Sequence, residues 1–185
     1  MAQAGKTNPR YVVFLRGINV GGHAVIKMAD LKAAFEKMGF GGVKTVLASG
    51  NVIFAARPSD EKALTAEIET GLAKAFKRNI SVLLRSLDHL IQLRWSEPFK
   101  GIEPAPGIRL YVTFLSRGAR KPAISIPYAA PGKGLCILRA TATEVFSVVD
   151  LEKGKGTPEA MALLEKEFGS DLTTRNWNTV LKIVS

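Results

Sequence analysis

The order in which two hydrophobic periodicities alternate along residues 10–86 constrains this chain more than any single motif does. Residues 10–16 (RYVVFLR) are rich in β-branched and aromatic side chains and stop at Gly17, the pattern of a strand. Met28, Leu31, Phe35 and Met38 then recur at steps of three and four, so a helix carries them as one apolar stripe. Gly39 closes that helix, because glycine enters the left-handed region without a Cβ penalty. Two short β-prone runs, 43–48 and 51–56, flank Ser49-Gly50 as a hairpin. Ser59 stands where a second helix needs its cap, Asp60 and Glu61 suit the positive end, and Leu64, Ile68, Leu72 and Phe76 share one face. Ile80, Val82 and Leu84 supply a last strand. The resulting β-α-β-β-α-β order predicts an α+β fold with a ferredoxin-like N-terminal lobe over residues 10–86.

Residues 87–185 predict a second α+β lobe with a smaller sheet. Leu87, Leu90, Ile91 and Trp95 give a short helix with Ser86 as its cap. Strands are expected at 108–115, 135–138 and 145–149, while Pro122, Pro127 and Pro131 argue against a long helix between the first two. Thr157 as cap, Pro158 in the first helical position and Glu159 start another helix, with Met161, Leu164 and Phe168 as its stripe. Trp177, Val180, Leu181 and Val184 close the chain as a helix begun near Asn176. No tandem repeat stands out. Residues 1–9 are polar and read as a loose tail.

Composition removes several classes of function. No apolar run approaches the roughly 18 residues that cross a bilayer, so no membrane partner is expected. A single cysteine, Cys136, excludes an internal disulfide framework and fits a reducing, cytoplasmic setting. With two histidines and that one cysteine, a classical zinc site is not expected. Cys136 between Leu135 and Ile137 reads as a small core hydrophobe, and His23 and His89 read as a loop residue and a helix residue without a chemical role. Residues 154–157 (GKGT) lack the glycine and the Lys-Ser/Thr order of a phosphate loop, and residues 17–22 are not a dinucleotide fingerprint. Neither a nucleophile elbow nor a His-Glu-x-x-His pair occurs. Asp150, Glu152 and Lys155 share one loop, which solvation explains without acid–base work. Whether the protein is an enzyme stays open at this level, and no residue pattern specifies a cofactor or an oligomeric state.

The polar residues converge in one place. In a split β-α-β topology the first and third strands are antiparallel neighbours, so Arg16 at the end of one lies beside Asn51 at the start of the other. The 17–27 loop, the 49–51 turn and the start of the first helix then share an edge. A helix start offers unpaired N–H groups. Gly21 and Gly22 let backbone amides approach a ligand, Arg16 supplies a guanidinium, and Asn19 and Asn51 supply directional hydrogen bonds. Residues 173–178 (TTRNWN) carry more hydrogen-bonding groups than a cap requires, which adds Arg175 and Asn178 as ligand-facing candidates.

LRGINVGG at 15–22, Met28-x-x-Leu31, SGN at 49–51 and TTRNWNTV at 173–180 together resemble the bacterial proteins grouped as domain of unknown function 1697. The resemblance runs from Arg10 onward and implies a ferredoxin-like first part and a second α+β part, with no activity attached. The expected function is therefore the binding of a small phosphorylated or carboxylated ligand at the 17–27/49–51 edge. The net charge of +10 sustains sequence-tolerant nucleic-acid binding as an alternative. The 51–56 run, with one aromatic and no glycine, lacks the stacking residues of RNA-recognition modules. A protein-interaction domain is the third alternative.

Overall fold

A computed structural model describes residues 8–19, 25–103, 105–154 and 156–185. The chain divides at Gln92/Leu93 into two compact units.

The first unit runs β1 (Arg10–Leu15), α1 (Met28–Lys37), β2 (Gly41–Val46), β3 (Asn51–Ala55), α2 (Glu61–Phe76) and β4 (Val82–Ser86), after which α3 (Leu87–Trp95) carries the chain across the division. The sheet order is β2-β3-β1-β4, with every neighbour antiparallel. Alternation along the strands sends Val13 and Leu15, Val52 and Phe54, and Val82 and Leu84 into one core with Leu31 and Phe35 of α1 and Leu64, Ile68 and Leu72 of α2. Phe54 is the hub, fully buried, its ring 4.7 Å from Phe40 and 5.4 Å from Phe35. The cap of α2 is Asp60, one residue later than Ser59: its Oδ2 accepts from the N–H groups of Lys62 and Ala63. A carboxylate there accepts two bonds and also meets the positive end of the helix dipole, which a hydroxyl does less well.

The second unit runs β5 (Ile108–Leu115), β6 (Tyr128–Ala129), β7 (Leu135–Ala140), β8 (Glu144–Asp150), α4 (Thr157–Phe168), β9 (Leu172–Asn176) and α5 (Trp177–Ile183). Its sheet, β6-β7-β8-β5-β9, has five strands against four in the first unit, so the expectation of a smaller second sheet is corrected. The two strands that sequence patterning misses are β6, two residues long, and β9, whose Thr-Thr-Arg-Asn run hides its alternation. Leu115, Leu135, Ile137, Val145, Val149 and Leu172 pack on Ala160, Leu164 and Phe168 of α4. Gly156 precedes α4 without a side-chain cap, and Thr157 is the first helical residue, its hydroxyl 3.2 Å from the Tyr111 hydroxyl.

Strand register exposes a correspondence that linear inspection passes over. Tyr11-Val12-Val13-Phe14-Leu15 in β1 matches Tyr111-Val112-Thr113-Phe114-Leu115 in β5. Val12 pairs with Ile53 and Arg85, and Val112 pairs with Phe146 and Arg175. Arg85 and Arg175 are both buried, and each is followed by a residue that caps the next helix: Ser86 Oγ accepts from His89 N–H, and Asn176 Oδ1 from Asn178 N–H. Elements β5, β7, β8, α4, β9 and α5 thus repeat β1, β2, β3, α2, β4 and α3. Where the first unit has α1, the second has the proline-bearing segment 116–134 with β6.

Replacing Phe54 by alanine removes the ring at the centre of the first core and is expected to cost about 3–5 kcal/mol. Urea unfolding followed by far-UV circular dichroism checks this; a loss below about 1 kcal/mol would contradict the assigned packing.

Candidate functional site

Pairing of Phe14 with Asn51 brings the end of β1 beside the start of β3, and Leu15 N–H donates to the Gly50 carbonyl at 2.8 Å. The 17–27 loop therefore leaves the sheet next to the 47–50 turn. Asn19 ties the two together. Its Nδ2 donates to the carbonyls of Ile26 (3.1 Å) and Ala48 (2.8 Å), and its Oδ1 accepts from Ile26 N–H (2.7 Å). Asn19 does this from φ 56°, a left-handed conformation that asparagine tolerates better than most residues. Gly50, at φ 75°, lies so near the Ile18 side chain that a Cβ there would stand 2.5 Å from Ile18 Cδ1, which explains the glycine of the SGN turn.

Asn51 is oriented inward. It is fully buried, and its Nδ2 donates to the Val46 carbonyl (2.7 Å) and to Ser49 Oγ (3.1 Å), closing the hairpin. A buried amide must find its partners within the protein, so Asn51 belongs to the frame of this edge rather than to its solvent face. The same holds for Asn19, both of whose amide donors are engaged. Both side chains thus make hydrogen bonds within the protein. Arg16 follows β1, half-buried, with its backbone N–H on the Ser81 carbonyl at 2.9 Å. Helix α1 begins after Lys27, which is extended and makes no side-chain cap hydrogen bond. Val25 (62% exposed) and Leu47 (45% exposed, φ 60°) add apolar surface to the segments that Asn19 joins. Gly21, Gly22 and His23 lie outside the described residues.

The family model for a protein of unknown function, DUF1697, matches residues 9–132. The chain belongs to this family. A solved structure, that of the conserved bacterial protein SP0830 from Streptococcus pneumoniae, is 23% identical, covers 95% of this chain and 97% of its own, and superposes with a TM-score of 0.71. That likeness shows a shared mixed α+β fold. No curated protein matches the chain. Among the described residues no helix is long and apolar enough to cross a membrane.

The remaining sequence candidates of this DUF1697 chain lie in the second unit. Arg175 is buried on β9, its Nη1 donating to Thr173 Oγ1 (2.8 Å) and to the Thr174 carbonyl (2.9 Å), and burial pushes its guanidinium down to about 10. These two bonds tie it to its own strand. Asn178 is exposed in the first turn of α5, and the capping side chain is that of Asn176. Trp177 is a core anchor, edge-to-face with Phe99 at 5.4 Å. Asp150 is ion-paired to Lys153 at 3.1 Å, and the hydrogen bond from Lys153, followed by that from the Glu152 backbone N–H, lowers its pKa. A carboxyl held ionised in this way is a poor general acid. Lys155, in the same loop, lies outside the described residues.

Asn19→Ala removes three hydrogen bonds and is expected to lower stability by about 1–3 kcal/mol. Asn19→Gly, which keeps the left-handed backbone accessible, loses the same bonds with less strain and should fall between that variant and wild type. Urea midpoints and hydrogen exchange at the Ile26 amide measure both; wild-type exchange at Ile26 in both variants would refute the clamp.

Proposed function

We propose that this DUF1697 protein binds a small phosphorylated or carboxylated ligand where the 17–27 loop, the 47–50 turn and the start of α1 converge. The observation that carries the reading is the Asn19 clamp, which holds loop and turn together before any ligand arrives. In this reading Arg16 is the charged contact, the first-turn N–H groups of α1 meet the anion, and Gly21 and Gly22 let the loop backbone come close. Asn19 and Asn51 set the frame, while Val25 and Leu47 pack the ligand's apolar body. The unit presenting the edge is ferredoxin-like in this reading, which its β2-β3-β1-β4 sheet order supports. The net charge of +10 raises the local concentration of anions, and a single cysteine suits a cytoplasmic protein.

A thermal-shift series with nucleotides, sugar phosphates and small carboxylates tests the reading. At least one anion should raise the melting temperature of wild type and raise that of Arg16→Ala much less, since stabilisation follows affinity. Equal shifts in both proteins, or none in either, would end it.

The charge also favours a second reading, sequence-tolerant nucleic-acid binding. Fluorescence anisotropy with single-stranded RNA, single-stranded DNA and duplex at about 50 mM salt should then show binding that weakens steeply as salt rises. Absence of binding to all three removes this alternative.

A further inference from the structure

The second unit contains a cavity of about 480 Å³, within the size range of small-molecule sites. It lies between the segment that follows β5 and the turn joining β7 to β8. By the strand correspondence this is the counterpart of the edge that Asn19 closes in the first unit. There, Ile18 and Ile26 are buried beside Leu15, and α1 follows directly. In the second unit no helix follows β5, and the equivalent space stays open beside Leu115.

Leu115, Ile124, Ile126 and Phe168 make the wall apolar, and Arg120 and Lys121, both exposed, add two cationic side chains to the lining. The wall is fastened in place. Ala123 N–H donates to the buried Glu167 carboxylate (3.1 Å), Arg120 N–H to the Phe168 carbonyl (3.2 Å), and Arg120 Nη1 to the Lys166 carbonyl (3.1 Å). These bonds hold residues 120–123 on the last turn of α4 and keep them from collapsing into the space. They also use one guanidinium donor of five, leaving a fork for an anion.

We infer that this cavity is a binding site for a small amphiphilic carboxylate, its apolar body against Ile124, Ile126 and Phe168 and its carboxylate on Arg120 and Lys121. An uncharged apolar molecule would leave the two cations without a counter-ion, and a bare anion would leave the apolar wall wet. The combination of wall and cations selects a molecule with both parts.

Decanoate is a suitable probe, titrated into the ¹⁵N-labelled full chain. The amides of Gly118, Ala119 and Ala142 should shift in a saturable way. Lys121→Ala leaves the three wall bonds intact and should weaken decanoate several-fold, and the double variant Arg120→Ala/Lys121→Ala, which also removes the Arg120 Nη1 bond to the Lys166 carbonyl, should weaken it about tenfold or more. Ala142→Trp, at an exposed lining position of the β7–β8 turn, should occlude the opening and abolish the shifts. Decanol binding as tightly as decanoate would overturn the inference, as would inorganic phosphate alone producing the same shifts. So would wild-type affinity in the double variant, or no shift at the solubility limit of decanoate.

Discussion

Each unit depends on one pairing: its first strand lies antiparallel to the strand that closes the hairpin. β1 pairs with β3, and β5 with β8, so that the chain leaving the first strand always emerges beside the hairpin turn. The cost of this arrangement falls on the residue that opens the paired strand, because it is buried next to a turn whose backbone groups need partners. Asn51 and Glu144 occupy that position, 0% and 1% exposed, and pair with Phe14 and Phe114 respectively. Asn51 solves the problem as a donor to the Val46 carbonyl. Glu144 solves it as an acceptor, its Oε2 2.6 Å from Thr143 Oγ1, while Thr141 Oγ1 receives its N–H. An unsatisfied group at either place would cost about 1–3 kcal/mol, so chemistry of opposite sign serves one topological requirement.

A second shared requirement appears where the last strand turns directly into a helix. Arg85 and Arg175 are buried at that junction, and each is followed by a capping residue. In the first unit Glu61 at the start of α2 stands 3.9 Å from Arg85, and Arg85 also bonds the Leu84 carbonyl. In the second unit Arg175 donates to Thr173 and Thr174 on its own strand. Arginine suits both because its several planar donors can satisfy carbonyls and hydroxyls while the aliphatic stem packs among apolar neighbours.

Most elements of the first unit were legible because its strands and helices carry strong, distinct periods. The failures have local causes. At Ser59-Asp60 two good capping residues are adjacent, and composition does not say which takes the cap. Residues 172–176 carry threonines on both faces of the strand, and the pairing that identifies them, such as Thr113 Oγ1 with Thr174 Oγ1 at 2.8 Å, spans 61 positions. The directions in which Asn19 and Asn51 point were hidden for a related reason. Residue type says that an amide will form hydrogen bonds, whereas its direction is set by partners such as Ala48, 29 residues away. The match of YVVFL with YVTFL is too short to stand out until register aligns Val12 and Val112 with their two neighbours each.

The correspondence between the units also accounts for their different chemistry. Helix α1 and the loop leading to it bring Ile18, Ile26, Leu31 and Phe35 onto the first sheet, so the space beyond Leu15 is packed and the rim above it is clamped by Asn19. The second unit replaces that helix with a segment containing Pro122, Pro127 and Pro131, which cannot supply a continuous stripe of apolar side chains at helical spacing. Ile124 and Ile126 pack against the core without filling the space beyond Leu115. One scaffold, with and without its first helix, thus yields an edge clamped by Asn19 in one unit and an open edge with an apolar wall in the other. The chemistry of each edge follows from what the chain between the first two main strands can fold into, more than from the strands themselves.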